Sequence, residues 1–125
     1  NRVKAPYNIG GLTQQTALAL LRQYDLFQNR RTGIILERER LIRELRGLGI
    51  FRRGYDSEAN FILVITEFCQ KLYRYLIACR VVVRLRDIPP LIGGGIRITV
   101  GTREENDRLL EVLHEYDNVM EVNTL

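Results

Sequence analysis

The chain has few of the side chains that build metal centres and catalytic triads. Its 125 residues include one histidine, His114, two cysteines, Cys69 and Cys79, and no tryptophan. A zinc centre or a histidine-based triad needs several such groups close together, so we expect neither. His114 is predicted to lie on the surface of the last helix. The cysteines are predicted to lie on one helix, too far apart for a disulfide, and unpaired thiols are typical of a reducing cytoplasm.

Long apolar runs are also absent. No run approaches the ~20 residues that span a bilayer, and the first residues lack the apolar core of a secretory signal peptide. We therefore expect a cytoplasmic protein with no membrane partner. The length suits one domain with a modest core. The hydrophobic and charged fractions, 46% and 27%, are ordinary for a globular chain.

Lysine is scarce, and the basic excess consists almost entirely of arginine. Seventeen arginines stand against two lysines, Lys4 and Lys71, in a chain of net charge +4. Such an excess can indicate nucleic-acid binding. The arginines are spread over predicted helices and strands, however, and many lie near glutamates, as in residues 37–40. No aromatic or glycine-rich RNA-binding motif accompanies them. We interpret most of them as ion-paired helix surface and expect no nucleic-acid partner.

Hydrophobic periodicity and turn residues predict eight elements in the order α-α-β-β-α-β-β-α. The predicted helices cover residues 12–26, 33–48, 67–79 and 103–116, with a break at 29–31 and a stop at Gly47 and Gly49. The predicted strands cover residues 50–54, 60–65, 81–85 and 95–100. The apolar run of the second strand predicts burial on both faces. This order implies a small α/β domain with helices packed on a sheet, and it leaves the strand order open.

Residues 95–106 are the most informative segment. Ile96 and Ile98 alternate onto one face of a strand, which leaves Arg97 on the other face. An arginine inside a strand is costly unless water or an anion satisfies its donors. Arg97 is therefore either a solvated surface residue or an anion ligand. A Thr-x-x-Glu capping box at Thr102 predicts that the last helix starts directly after it.

Several segments, taken in order, resemble the histidinol-phosphate aminotransferases, a pyridoxal-phosphate family of the aspartate-aminotransferase fold type. The matching segments are residues 5–9, 38–41, 56–64 and 82–84, and GIRITVGTREENDRLLEVL from Gly95. The resemblance ends near Tyr116. It implies the family's small C-terminal domain, a mostly antiparallel four-stranded sheet covered by helices. It predicts a leading segment from a missing large domain over residues 1–11, the small domain over 12–116 and a tail over 117–125.

The resemblance also implies site residues. Arg97 would hold the α-carboxylate of glutamate or 2-oxoglutarate, and the phosphate of histidinol phosphate. Arg84 would hold the substrate phosphate, and an antiparallel return of the chain would bring it beside Arg97; a surface ion pair is the alternative. Asn8 would lie near the mouth of the active site, although an asparagine shortly before Gly10-Gly11 is equally typical of a turn.

Two positions near Arg84 depart from the family pattern. The family commonly has glycine where Arg80 stands and aspartate where Leu85 stands, and both departures bear on the geometry around the following loop. Asn60 is interpreted as a structural hydrogen-bonding residue. The glycines at 93–95 are interpreted as positions that let the backbone approach a neighbour.

Transamination with pyridoxal phosphate needs a Schiff-base lysine and an acid for the pyridinium nitrogen. Lys4 lies in an extended segment and Lys71 on a helix surface, so neither suits that role. We expect no catalytic residue, cofactor or metal in this chain. The resemblance implies an intact, homodimeric enzyme of histidine biosynthesis that converts histidinol phosphate and 2-oxoglutarate to imidazole acetol phosphate and glutamate. An aromatic aminotransferase, a threonine-phosphate decarboxylase and a non-catalytic α/β interaction module are the alternatives.

Overall fold

The computed structural model describes residues 9–86 and 94–122, and the side chains of 9–86 and 94–120. Its elements confirm the predicted order α-α-β-β-α-β-β-α. The helices are α1 (Gly11–Leu21), α2 (Tyr24–Arg46), α3 (Cys69–Ala78) and α4 (Arg103–Val122). The strands are β1 (Arg53–Gly54), β2 (Phe61–Ile65), β3 (Arg84–Arg86) and β4 (Gly95–Thr99). Over the described ranges, no helix is long and apolar enough to cross a bilayer.

The chain divides into two compact units, Asn1–Gly33 and Ile34–Leu125. In the first unit, α1 has no buried residue. The predicted break at residues 29–31 is wrong, because α2 runs unbroken through them and the interruption lies at Arg22 and Gln23. Arginine is a good helix former and neither glycine nor proline occurs at 29–31, so nothing there stops the helix. The domain boundaries proposed from the sequence stay predictions.

The second unit is built on one antiparallel sheet with strand order β1-β2-β4-β3. One face of this sheet carries Ile62, Val64, Ile96 and Ile98, all at most 2% exposed. They belong to one hydrophobic cluster with residues of the three helices α2, α3 and α4. The predicted small antiparallel sheet with helices packed against it is therefore confirmed.

The opposite face of β2 is less buried than its apolar sequence predicted. Phe61 and Leu63 are only half-buried, while Ile62 and Val64 are fully enclosed. Burial on both faces was expected from a run of five apolar residues. The core cluster covers the face that carries Ile62 and Val64, and on the opposite face of β2 only Ile65 is fully enclosed.

Two strands are shorter than predicted because their ends bond elsewhere. Ile50 was assigned to the first strand, but its backbone N–H donates to the Asp117 carboxylate at 2.8 Å. Val81 was assigned to the third strand, but its N–H donates to the Leu76 carbonyl at 2.8 Å and closes the end of α3. Both N–H groups are satisfied outside the sheet. The Arg52 N–H donates to the Ile65 carbonyl at 2.9 Å and leads into β1, and the strands run from Arg53 and Arg84.

The last helix begins as predicted and continues beyond its predicted end. The Thr102 hydroxyl accepts from the Glu105 N–H, and the Glu105 carboxylate accepts from the Thr102 N–H, which confirms the capping box. The predicted end at Tyr116 is wrong, because α4 runs to Val122. Asp117 lies buried in this extension, where its carboxylate binds the backbone N–H groups of Gly49 and Ile50.

A charged network joins α2 to the start of α4. The Glu37 carboxylate accepts from Arg40 at 2.7 Å, from the Asn106 amide at 3.0 Å and from Arg103 at 3.1 Å. Arg40 also pairs with Asp107 at 2.7 Å. Hydrogen bonds from Arg40 and then from Asn106 lower the pKa of Glu37 to about 2, against the partial desolvation of its carboxyl group.

Arg80 has a backbone conformation that usually belongs to glycine. It follows α3 with φ of 62°, and the preceding turn closes through bonds from Arg80 N–H to the Ile77 carbonyl and from Val81 N–H to the Leu76 carbonyl. This is the left-handed residue that ends many helices, where a Cβ causes strain. The glycine that the family has here would remove that strain.

We therefore predict that Arg80→Gly stabilises the chain by up to about 1 kcal/mol, the relief of strain outweighing the added entropy of the unfolded state. Urea unfolding measures the change. Arg80→Ala is the control, because it removes the charged side chain and keeps the Cβ. Equal gains from both variants would trace the effect to the side chain and contradict the backbone explanation.

The second prediction concerns pH. Because the pKa of Glu37 is about 2 in the folded chain and 4.5 in the reference state, its contribution to stability is complete above about pH 5 and is lost as the pH falls towards 2. Glu37→Gln should lower the free energy of unfolding by about 1–3 kcal/mol at pH 7, and this difference from the original chain should shrink between pH 5 and 2. Unfolding in urea at several pH values tests this, with the exposed Glu39→Gln as the matched control. A difference that stays constant with pH would contradict it.

Candidate functional site

The candidate site is built on β4, which pairs with β2 on one side and β3 on the other. Ile96 and Ile98 face the core and are at most 2% exposed, whereas Arg97 between them is partly exposed. The predicted alternation is confirmed. The apolar neighbours are fixed in the core, so the strand itself holds the Arg97 side chain on the face that the core cluster does not cover.

The strand register places Arg84 directly opposite Arg97. Directly paired residues of an antiparallel ladder point to the same face, with Cβ atoms about 5 Å apart. The predicted antiparallel return that brings the two arginines together is therefore confirmed. Arg86, two residues further along β3, faces the same way and is exposed. Like charges paired across strands are destabilising, and an anion between them would remove that cost.

Arg97 is held by an aromatic ring and has an unsatisfied donor. Its Cζ lies 5.0 Å from the centroid of the Phe61 ring. Its Nε is buried, and the part of the chain that the structure describes offers it no hydrogen-bond acceptor. Among the described residues, neither Arg97 nor Arg84 forms an ion pair. A buried donor without an acceptor costs about 1–3 kcal/mol.

Leucine at position 85, where the resemblance predicts aspartate, does not change the sheet face on which Arg84 lies. Leu85 pairs with Ile96 and packs against the core, so it points away from Arg84. An aspartate at this position would face the core side of the sheet, and leucine suits that environment better. The loop that follows β3 lies outside the described residues.

The remaining predicted site residues have different outcomes. Asn8 lies outside the described residues. Asn60 does bond as a structural residue, but through its backbone: its carbonyl accepts from the Val100 N–H at 2.9 Å, and its side chain is exposed. Gly94 allows the close backbone approach expected of the glycine run, because a Cβ there would lie 2.7 Å from the Cβ of Cys69. His114 lies on the helix surface, as predicted.

The described residues do not fit a covalent pyridoxal-phosphate site. Lys71 is the lysine in this part of the chain, and it is exposed on α3. A Schiff-base lysine needs a desolvated pocket or a cationic neighbour to depress its pKa, and Lys71 has no such enclosure. Nor do the described residues hold a group of three side chains that could bind a metal ion.

Phe61 and Arg86 are the residues of this face that sequence reasoning missed. Both residues can be read from the sequence, but only the strand order and register reveal that they lie on the same sheet face as Arg97. Phe61 was identified only as part of a buried strand, and Arg86 was assigned to no element, because the third strand was predicted to end at Leu85. The alternation from Arg84 was the available signal for Arg86, because residues two apart on a strand share a face.

The sequence model of one family, described as aminotransferase class I and II, matches residues 1–113. The chain is 41% identical over 114 residues to the histidinol-phosphate aminotransferase of Flavobacterium psychrophilum, covering 90% of the chain and 32% of the relative. It is 42% identical over 116 residues to that of Cytophaga hutchinsonii, covering 93% and 33%. The chain thus spans about a third of the length of the curated relatives that it matches.

Solved structures resemble the fold over most of the chain. The histidinol-phosphate aminotransferase from Clostridium acetobutylicum matches with a TM-score of 0.78 and 27% identity, over 92% of this chain and 35% of that one. A decarboxylase from Sulfurospirillum multivorans matches with a TM-score of 0.73 and 26% identity, over 88% of this chain and 33% of that one.

Proposed function

We propose that this chain, which belongs to the aminotransferase class I and II family, forms the part of a histidinol-phosphate aminotransferase that binds the anionic group of the substrate. The intact, homodimeric enzyme would convert histidinol phosphate and 2-oxoglutarate to imidazole acetol phosphate and glutamate. The curated relatives named above are histidinol-phosphate aminotransferases, which supports histidinol phosphate as one of the substrates. The chain would correspond to their small C-terminal domain, docked on a large domain that it does not contain.

One observation carries the proposal. Arg97 and Arg84 stand side by side on the sheet face that the core cluster leaves uncovered, and among the described residues neither is neutralised by an acid. A guanidinium donates two parallel hydrogen bonds to a carboxylate or a phosphate and keeps its charge at all accessible pH values. The pair therefore suits a substrate whose anionic end alternates between a carboxylate and a phosphate.

The lack of a suitable Schiff-base lysine in this chain indicates which part of the reaction each domain would perform. The family depends on pyridoxal phosphate, which accepts the amino group when bound, and we place its anchoring lysine in the large domain. The present chain would bind and orient the substrate. Arg97 would hold the anionic end at a fixed distance from the reacting centre, which converts binding energy into correct orientation. Arg84 would add the second positive charge that a phosphate dianion requires.

A decarboxylase is the second candidate, because the structure from Sulfurospirillum multivorans resembles this fold almost as closely as the aminotransferase structure does. A phosphorylated amino acid such as threonine phosphate would present an anion to the same arginines. The intact enzyme distinguishes the two activities by its products: transamination yields glutamate from 2-oxoglutarate or the reverse, and decarboxylation yields CO₂ without a co-substrate.

In the intact enzyme, we predict that Arg97→Ala impairs both half-reactions by about 30- to 1000-fold in kcat/KM, corresponding to about 2–4 kcal/mol for a lost charge-assisted contact. Arg84→Ala should impair the histidinol-phosphate half-reaction more than the glutamate half-reaction, because the phosphate carries the extra charge. Arg97→Lys should rescue only in part, since a point charge lacks the planar fork.

Steady-state kinetics with each substrate in turn tests this prediction. The matched control is Arg74→Ala, an exposed arginine on α3, which should leave both half-reactions near normal. Near-normal turnover of both substrates by Arg97→Ala would refute the assignment of Arg97.

We also predict that this chain alone forms no stable imine with pyridoxal phosphate. Titration should give only weak imine absorbance, and borohydride reduction should label Lys4 or Lys71 far below one equivalent. The reason is that Lys71 is exposed on α3, whereas a Schiff-base lysine needs a desolvated pocket or a cationic neighbour. Peptide mapping after reduction measures the labelling. Stoichiometric modification at either lysine would contradict the placement of the cofactor on the large domain.

A further inference from the structure

We propose that Phe61 is the positioning residue of Arg97, holding its guanidinium in place while leaving its N–H groups free for the substrate anion. This inference rests on the proposed function of Arg97 as an anion ligand. It adds Phe61 to the proposed anion site as a residue that acts through its aromatic ring rather than through a charge.

The sheet register sets the geometry of the pair. Leu63 lies directly opposite Arg97, and Phe61 lies opposite Thr99, so Phe61 is the diagonal neighbour of Arg97 on the same face. Diagonal neighbours are within reach of long and aromatic side chains. The Arg97 Cζ accordingly lies 5.0 Å from the ring centroid, inside the range of about 6 Å in which a cation is attracted to a ring.

The choice of an aromatic partner has a chemical consequence. An acid beside Arg97 would fix the side chain equally well, but its oxygens would accept the hydrogen bonds and neutralise the charge that the substrate needs. A phenyl ring attracts the cation through its quadrupole and has no acceptor oxygen. The buried Nε without an acceptor fits this description, since the guanidinium is enclosed on the protein side and still not hydrogen-bonded.

Some arginines elsewhere in the described chain show the other arrangement. Arg40 pairs with Glu37 and Asp107, and Arg103 with Glu37. Those residues join helices, and neutralisation by acids serves that purpose. Phe61 contacts Arg97 without neutralising it. Arg53 also lies over a ring, 4.6 Å from the Tyr55 centroid, but of the two only Arg97 combines such a contact with a second arginine, Arg84, directly opposite it in the sheet.

The test uses the 125-residue chain itself, with acetate and methyl phosphate as probes at constant ionic strength. NMR follows the Arg97 Nε–Hε resonance, assigned by its loss in Arg97→Gln, and gives the affinity for each anion. Phe61→Leu should weaken both anions by about 3- to 10-fold, in keeping with a cation–π contact, and should shift the Arg97 resonance as the ring current is lost. Phe61→Tyr should restore the affinity to within about 2-fold, because it keeps the aromatic face.

Phe51→Leu is the matched control, because Phe51 is also half-buried and packs against the core. It removes a similar ring and should alter stability without moving the Arg97 resonance or the anion affinity. Unchanged affinity in Phe61→Leu, or equal loss in Phe61→Leu and Phe61→Tyr, would overturn the inference.

The Arg97→Gln variant separates this inference from the proposed function. If anion affinity depends on Arg97 but not on Phe61, only the positioning role fails. If Arg97→Gln binds both anions as well as the original chain does, the anion site itself is wrong, and the role of Phe61 falls with it.

Discussion

The antiparallel register of β4 is the constraint on which the site depends. Pairing with β3 sets Arg84 against Arg97, and pairing with β2 sets Phe61 on the diagonal. The register is in turn fixed by hydrophobic burial, because a shift of one residue would turn Ile96 out of the core and Arg97 into it. Burying an unpaired guanidinium costs several kcal/mol. The alternation that places Ile96 and Ile98 in the core therefore also places Arg97 on the opposite face of the sheet.

Charge is distributed between two environments in this fold. On the helices, arginines such as Arg40, Arg46 and Arg108 have acidic partners, as the clustering of arginine with glutamate in the sequence predicted. On the uncovered sheet face, Arg84 and Arg97 have none among the described residues. Exposed ion pairs contribute little to stability. Helical arginines such as Arg43 and Arg74 also form no ion pair among the described residues, so what distinguishes Arg84 and Arg97 is their direct pairing across β3 and β4.

The sequence predicted the elements that have strong local signals and missed the limits set by distant contacts. The capping box at Thr102 and the alternation around Arg97 are local, and both were right. The length of α4 was not predictable from its own residues, because its extension is held by Asp117 binding backbone groups of Gly49 and Ile50, far away in the chain. The approach of Arg84 to Arg97 was predicted from an antiparallel return. The contribution of Phe61 required the register of β2 against β4, which no single segment contains.

Leu85 and Arg80 stand near Arg84 at positions where the sequence resemblance predicts aspartate and glycine. Leu85 replaces a polar residue on the core side of β3, where it packs against apolar neighbours, and Arg80 replaces glycine at a helix end, where the cost is backbone strain. Neither change alters which face Arg84 occupies, because that face is fixed by its pairing with Arg97 rather than by the residues flanking the strand. Substitutions at such positions alter stability first. We expect binding at the proposed site to change when the register of β3 and β4 moves, when the arginines on their shared face are neutralised, or when Phe61 loses its ring.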